Sequence, residues 1–147
     1  GWLLENEGCR KENIKLIEFR ARSRAAPEKE MIFKAEKLFN SLQYPALIHC
    51  KSGADRAGIM CALYMLIYKA QPPEFAKRQL SWTYLHIKWA KPGILDSFVE
   101  SYSLDYRKSK IKFMDWVKNK YSPKKLENSF RSVWWINRFL DDVLRRE

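Results

Sequence analysis

The pattern of apolar and polar positions predicts two short strands followed by a series of helices. Ile14 to Phe19 (IKLIEF) alternates apolar and polar residues, as a half-buried strand does, and the short apolar run Ala46 to Ile48 is typical of a buried strand. Apolar residues recur at helical spacing over 28–42, and 57–70 is apolar nearly all round, which predicts a central helix. Further helical patterns cover about 74–87, 92–106, 110–120 and 126–146.

These elements predict an α/β fold, with a short, mostly parallel central sheet flanked by helices and extra helices at the C-terminus. Two strands are too few for a stable sheet, so we expect the chain to begin inside its domain or further strands to precede Ile14. No boundary divides the chain. We therefore expect one domain over residues 1–147, with about 107–147 as a basic helical extension packed on the rest. Trp82, Leu85 and Trp89 form a stripe at helical spacing, which predicts core packing.

The charge balance favours anionic partners. Among 147 residues, 28 Lys and Arg stand against 17 Asp and Glu, which gives a net charge of +11. Phosphates, acidic lipid or nucleic acid are attracted by such a surface, although a basic face that only keeps the protein soluble is an equal alternative. Hydrophobic residues make up 46% of the chain, which excludes wholesale disorder, and the longest apolar stretch, 58–68, is too short to span a bilayer.

Cysteine usage and the N-terminus bear on the compartment. Three cysteines cannot all pair, so a reducing, cytoplasmic setting is the default. The chain opens with Gly1 rather than Met, so we expect a processed product. Whether a targeting segment precedes it is left open. The histidines and cysteines show no metal-ligand spacing, and we expect neither a metal nor an organic cofactor.

The candidate chemistry lies in HCKSGADR, His49 to Arg56, between a predicted strand and a predicted helix. Backbone N–H groups at such a turn lack intrahelical partners, and together with the helix dipole they form an anion-binding nest. Cys50 at the base of that nest lies in a positive field that lowers its pKa. Gly53 permits a turn with positive φ, and the planar guanidinium of Arg56 can hold two phosphoryl oxygens. These groups predict phosphoryl transfer onto sulfur.

HCKSGADR resembles the HCxxGxxR signature of the cysteine-dependent protein tyrosine and dual-specificity phosphatases. The resemblance extends over about Ile14 to Tyr106 and is closest to compact bacterial members with an Asp in this loop. It implies that Cys50 attacks phosphorus and forms a phosphocysteine that water hydrolyses, while Arg56 binds the transition state. His49 is implied to orient the loop and lower the Cys50 pKa. The implied phosphate-binding amides are those of Lys51, Ser52, Gly53, Ala54, Asp55 and Arg56.

Two features depart from the pattern of that family. Its general acid is usually an Asp in a loop well before the cysteine, but residues 19–24 contain none. Asp55 is therefore the candidate general acid, as an Asp in this position is in the similar myotubularin lipid phosphatases; alternatively it only orders the loop or pairs with an arginine. Ala57 replaces the Ser or Thr whose hydroxyl normally donates to the cysteine sulfur. We therefore expect phosphocysteine to accumulate and turnover to be slow.

The resemblance implies hydrolysis of phosphotyrosine, phosphoserine or phosphothreonine in a protein. The loop residues Arg20, Arg22 and Arg24 could bind a second anion, which would suit a phosphoinositide or another polyphosphorylated substrate; a solvated loop is an even alternative. An acidic membrane surface is a further candidate partner. RNA 5′-triphosphatases of the same superfamily would also suit a basic surface, although nucleic acid is the less favoured partner. A weakly active, phosphate-binding pseudophosphatase is the alternative from a different class.

Overall fold

The structure, a computed structural model, describes residues 1–132 of the chain. Within that part the regular secondary structure is wholly helical. The α-helices in chain order are α1 Trp2–Lys11, α2 Lys29–Ser41, α3 Asp55–Ile67, α4 Pro73–Gln79, α5 Ile94–Ser109 and α6 Phe113–Asn119. Two 3-10 turns, Trp82–Tyr84 and Lys91–Gly93, separate α4 from α5, and residues 123–132 are helical as well. None of these helices is long and apolar enough to cross a membrane.

The predicted α/β fold with a central parallel sheet is wrong for residues 1–132, which contain no strand. Residues 15–19 and 46–48 carry no helix, yet they make no backbone–backbone hydrogen bonds either. Their apolar side chains are covered only in part, since Phe19 and Ile48 pack against the core whereas Ile17 is 40% and Leu47 is 87% exposed. A strand needs a partner for its N–H and C=O groups, and the periodicity of one segment does not supply that partner. The residues before Ile14, where further strands were expected, form α1 instead.

The core is built around α3, as its all-round apolar sequence predicts. Ile59, Ala62 and Leu63 of this helix are fully buried. α3 contacts α2, α4 and α6, and α4 in turn contacts α5. On the far side, Phe98 of α5 packs against the rings of Trp116 and Tyr121, with centroid distances of 5.8 and 5.0 Å. The start of α3, which follows the HCKSGADR loop, is therefore carried by a helix that is packed on several sides.

Two glycines allow the close contacts that hold the segment between α4 and α5. A Cβ atom at Gly58 of α3 would lie 2.9 Å from the carbonyl oxygen of Gln79, the last residue of α4. A Cβ atom at Gly93 would overlap the carbonyl oxygen of Lys88. Residues 80–93 are thus folded tightly between the two helices, and His86 near their middle is only 3% exposed.

Four of the helix predictions correspond to helices of the structure, and the one over 74–87 fails after Gln79. The helices predicted over 28–42, 57–70, 92–106 and 110–120 correspond to α2, α3, α5 and α6. The pattern over 74–87 predicts too long a helix, because α4 ends at Gln79 and Leu85 adopts a left-handed conformation with φ of 60°. Trp82, Leu85 and Trp89 therefore share no helical face, and they are 65%, 68% and 77% exposed rather than buried in the core.

The C-terminal part of the described chain packs back onto the start of α2. The hydroxyl of Tyr121 donates to the carbonyl oxygen of Pro27 at 2.8 Å, and the backbone N–H of Ala26 donates to Glu127 Oε1 at 3.2 Å. The helix predicted over 126–146 is helical as far as residue 132. Its remainder lies outside the described residues, as does the end of the predicted extension 107–147, so the single-domain organisation stays a prediction.

Candidate active site

The sulfur of Cys50 lies where several backbone N–H groups converge. The N–H groups of Ala57, Ser52 and Gly53 lie close enough to the sulfur to lower the pKa of the thiol. Burial by itself would raise the pKa of the Cys50 thiol, but these three donors and the nearby charge of Arg56 outweigh burial and lower the pKa below its ordinary value. A cysteine in this environment carries a larger share of thiolate, which is the nucleophilic form.

The local backbone explains why the donors point inwards. Gly53 has a φ of +72°, a left-handed conformation in which a side chain would be strained. The chain then enters α3 at Asp55, and the residue at the N-cap, Ala54, has no side-chain oxygen that could accept from the first amides of the helix. The first intrahelical bond runs from the N–H of Gly58 to the carbonyl of Ala54 at 2.9 Å. The amides before Gly58 are thereby left for the sulfur and for an anion above it.

Arg56, the predicted phosphoryl clamp, lies in the first turn of α3. Its side chain is exposed, and its charge is close enough to act on the Cys50 sulfur. None of the ion pairs between residues 1–132 involves Arg56 or the exposed Lys51. Its planar guanidinium is therefore not engaged by a carboxylate of this part of the chain and could meet two oxygens of a phosphoryl group.

Asp55 belongs to a buried network that sequence reasoning did not find. Its Oδ1 atom lies 2.8 Å from Nδ1 of His86, and Nε2 of His86 lies 2.6 Å from Oδ2 of Asp96. The imidazole is 1% exposed, whereas the carboxylates of Asp55 and Asp96 are 25% and 16% exposed. Three separate parts of the chain meet here, namely the start of α3, the segment after α4 and the first turn of α5.

The two carboxyl groups act on the pKa of His86. Burial by itself lowers the pKa of this imidazole, but the hydrogen bonds to Asp96 and Asp55, together with the charges of both carboxylates, outweigh burial and raise the pKa above its ordinary value. Each ring nitrogen faces a carboxylate oxygen, so each is best used as an N–H donor. The ring of His86 thus bridges Asp55 and Asp96 through both of its nitrogens.

The position of His86 and Asp96 in the chain explains why they were missed. His86 comes 31 residues after Asp55, and no motif with a known spacing joins them. The only signal in the sequence is that the chain has just two histidines, of which one stands within a segment of aromatic residues. Which acid that histidine meets depends on how α4 and α5 pack on α3.

His49 begins the HCKSGADR loop and Ala57 directly follows it, and the two side chains have different surroundings. The imidazole of His49 is about half exposed, and its Nε2 atom lies 2.7 Å from Oε1 of Glu5 in α1. The groups that lower the Cys50 pKa do not include His49. Its role in orienting the loop stays a prediction. Ala57 is 7% exposed, and its N–H lowers the pKa of the Cys50 thiol while its methyl group offers no second donor.

The arginine loop projects into solvent. The side chains of Arg20, Arg22 and Arg24 are exposed, whereas the alternate residues Ala21 and Ala25 are partly buried. The ion pairs between residues 1–132 include none of these three arginines, so the second anion site stays a prediction. In the same part of the chain no group of three or more metal-ligating side chains is present.

Comparison with known proteins places this site within a matched region. Residues 4–94 match the family model described as "PTP-SAK: Swiss Army Knife protein, DSP-PTPase phosphatase domain". Searches of curated proteins and of solved structures gave no match. The matched region includes Cys50, Asp55 and His86, and it ends two residues before Asp96. The resemblance drawn from HCKSGADR is thereby confirmed at the level of the superfamily.

Proposed function

The chain belongs to the PTP-SAK family of DSP-PTPase phosphatase domains and is therefore a phosphatase, and we propose that it hydrolyses phosphomonoesters through a phosphocysteine on Cys50. The observation that carries this proposal is the position of Cys50 in a loop that turns at Gly53 and leads into α3, with the N–H groups of Ser52, Gly53 and Ala57 beside its sulfur. Such donors stabilise the thiolate before the reaction and the departing sulfur at its end. The neighbouring Arg56 adds a planar pair of donors for the transferred group.

The reaction proceeds in two displacements at phosphorus. In the first, the Cys50 thiolate forms the S–P bond while the P–O bond to the leaving group breaks, and Asp55 gives its proton to the leaving oxygen. In the second, Asp55 takes a proton from water as the water oxygen attacks phosphorus and the S–P bond breaks. Inorganic phosphate and the Cys50 thiolate are released. Arg56 and the loop amides hold the equatorial oxygens in both steps.

An exposed aromatic pair supports a phosphotyrosine residue of a protein as the substrate. Trp82 and Trp89 stack with ring centroids 6.5 Å apart and planes 18° apart, and both rings are largely exposed. In the chain they stand on either side of His86, and the ring of His86 contacts Asp55. Exposed tryptophans are costly to leave in water, and a phenyl ester would cover part of their surface.

The exposed arginine loop favours a second candidate substrate, a polyphosphorylated one such as a phosphoinositide. Arg20, Arg22 and Arg24 alternate towards solvent over five residues. Guanidinium groups in such a row bind further phosphates of one ligand better than a single charge does. The net charge of +11 adds a long-range attraction that weakens as salt is raised.

The nucleophile is tested with p-nitrophenyl phosphate and matched cysteine variants. Cys50→Ser is expected to abolish turnover, whereas Cys61→Ser, in the same chain but within α3, is expected to retain it. Arg56→Lys keeps the charge but loses the two-donor fork, and kcat is expected to fall about 10²- to 10³-fold. For the wild-type chain, kcat/KM should rise with pH as Cys50 ionises, with a midpoint below the ordinary pKa of a thiol. Turnover that survives in Cys50→Ser would refute the proposal.

The two substrate classes are separated by a phosphotyrosine peptide and an inositol polyphosphate. Trp89→Ala is expected to lower kcat/KM for the peptide, and Arg22→Gln is expected to lower it for the inositol polyphosphate. Lys15→Gln, which removes one positive charge from an exposed position outside the arginine loop, is the matched control. A peptide rate that is indifferent to Trp89→Ala would count against the aromatic surface as part of the substrate site.

A further inference from the structure

One buried side chain next to the reacting groups has no part in the two displacements. His86 is 3% exposed, and its two ring nitrogens contact Asp55 and Asp96. We propose that His86, held in place by Asp96, is a positioning residue that orients the carboxyl group of Asp55 for proton transfer. This inference rests on the proposed function, because it takes Asp55 as the general acid.

The argument begins with the two oxygens of Asp55. Oδ1 accepts from Nδ1 of His86 at 2.8 Å, while Oδ2 has no hydrogen-bond partner within residues 1–132. A carboxyl group that gives away a proton needs one oxygen for that proton, and the other oxygen can be fixed without loss of function. With Oδ1 anchored, Oδ2 is the oxygen that carries the proton to the leaving group.

His86 is itself fixed on its other side. Nε2 lies 2.6 Å from Oδ2 of Asp96, so a turn of the ring would break both of its hydrogen bonds to carboxyl groups at once. The backbone N–H of His86 also donates to the carbonyl of Ser81 at 3.1 Å. Both the ring and the backbone of His86 are therefore fixed, and the hydrogen bond to Oδ1 in turn fixes the carboxyl group of Asp55.

A purely structural role of the same network makes a different forecast. If His86 only joins the start of α3 to α5, its loss should disturb the loop around Cys50 and slow every ester alike. If it aims Asp55, its loss should slow only those esters whose leaving oxygen needs a proton. Misplacing a catalytic group by about 1 Å lowers a rate by about 10²-fold, which sets the scale of the expected effect.

The test compares phenyl phosphate with 2,4-dinitrophenyl phosphate. Phenolate is a poor leaving group that needs the proton of Asp55, whereas dinitrophenolate leaves without it. His86→Gln is expected to lower kcat for phenyl phosphate about 10- to 100-fold while hydrolysis of the dinitrophenyl ester stays near the wild-type rate. His86→Asn should recover part of the loss, because its side-chain amide can replace the Nδ1 donor.

Asp96→Asn keeps the shape of the site and carries the test if His86→Gln fails to fold. It should lower the phenyl phosphate rate selectively, though less than His86→Gln. Asp105→Asn is the matched control on the same helix, since the Asp105 carboxylate accepts from Nε1 of Trp116 at 2.8 Å and takes no part in the network. It should leave both rates unchanged. Vanadate affinity checks that the Cys50 loop is intact in each variant.

The outcomes separate the inference from the proposal beneath it. Equal losses on the two esters in His86→Gln and Asp96→Asn, or no loss in either, would overturn the positioning role. If Asp55→Asn is selective for phenyl phosphate and the His86 variants are not, only the positioning role fails. If Asp55→Asn itself is not selective, Asp55 is not the general acid, and both ideas about this network fall. Absence of any turnover by the wild-type chain would refute the proposed function.

Discussion

The most informative single change is Ala57→Ser, which restores a hydroxyl beside the reactive sulfur. The N–H of residue 57 is close enough to the Cys50 sulfur to lower the pKa of its thiol, so we expect a hydroxyl on the same residue to reach that sulfur. In the proposed reaction this sulfur is the leaving group of the second displacement. A further donor should stabilise the departing thiolate and speed the breakdown of phosphocysteine.

The size of the effect follows from the donors already present. A hydrogen bond to a charged group contributes about 1.5–3 kcal/mol, which corresponds to roughly 10- to 150-fold in rate. Three N–H groups already share the charge of the Cys50 sulfur. A fourth donor therefore adds less than it would to a bare thiolate, and we expect the lower part of that range, about 10- to 40-fold.

Rapid-quench kinetics with p-nitrophenyl phosphate measures both steps. The wild-type chain should release about one equivalent of nitrophenolate per site in a burst, since phosphocysteine forms faster than water removes it. Ala57→Ser should show a smaller burst and a faster steady state. Ala57→Thr and Ala57→Val form a matched pair of nearly equal volume, of which only Thr carries the hydroxyl. A wild-type time course without a burst, or equal acceleration by Thr and Val, would refute the reasoning.

Two further predictions concern stability and are checked by urea unfolding. Gly93→Ala places a Cβ on the carbonyl oxygen of Lys88, which cannot turn aside as a side chain does, and should lower the free energy of unfolding by about 3 kcal/mol. Gly8→Ala, with open space around its Cβ, should not lower it. Equal effects of the two substitutions would contradict the steric argument. Ser103→Ala removes a fully buried hydroxyl that has no partner within residues 1–132 and should raise the free energy of unfolding by about 1 kcal/mol. Ser97→Ala, which loses a hydrogen bond to the carbonyl of Gly93, should not raise it. A lower free energy of unfolding in Ser103→Ala would mean that its hydroxyl has a hydrogen-bond partner.

The reactive loop could be predicted because its chemistry is contiguous in sequence. Cys50, Gly53 and Arg56 lie within seven residues, and the helix that follows them is apolar on nearly every side. A turn that leads into a buried helix directs its free amides to one point whatever the rest of the fold does. The structure accordingly brings the N–H groups of Ser52, Gly53 and Ala57 to the sulfur.

The strands failed for the opposite reason. Alternation over Ile14 to Phe19 records only that one side of the segment is more apolar than the other. Whether it becomes a strand depends on another segment that lies alongside and exchanges hydrogen bonds with it, and residues 1–132 offer none. The stripe of Trp82 and Trp89 failed similarly, because the left-handed turn at Leu85 ended the helical periodicity that had placed them in the core.

What the sequence by itself determined is a local arrangement, namely a cysteine, a turn at Gly53 with free backbone amides, and an arginine at the start of a buried helix. What only the tertiary structure decided is which residues form the hydrogen-bonded network with Asp55. His86 and Asp96 reach Asp55 because Gly58 lets α4 lie directly on α3 and because Gly93 lets the segment between α4 and α5 fold closely on itself at Lys88. Contacts of that kind depend on how helices pack, and packing is a property of the whole chain rather than of any one stretch of it.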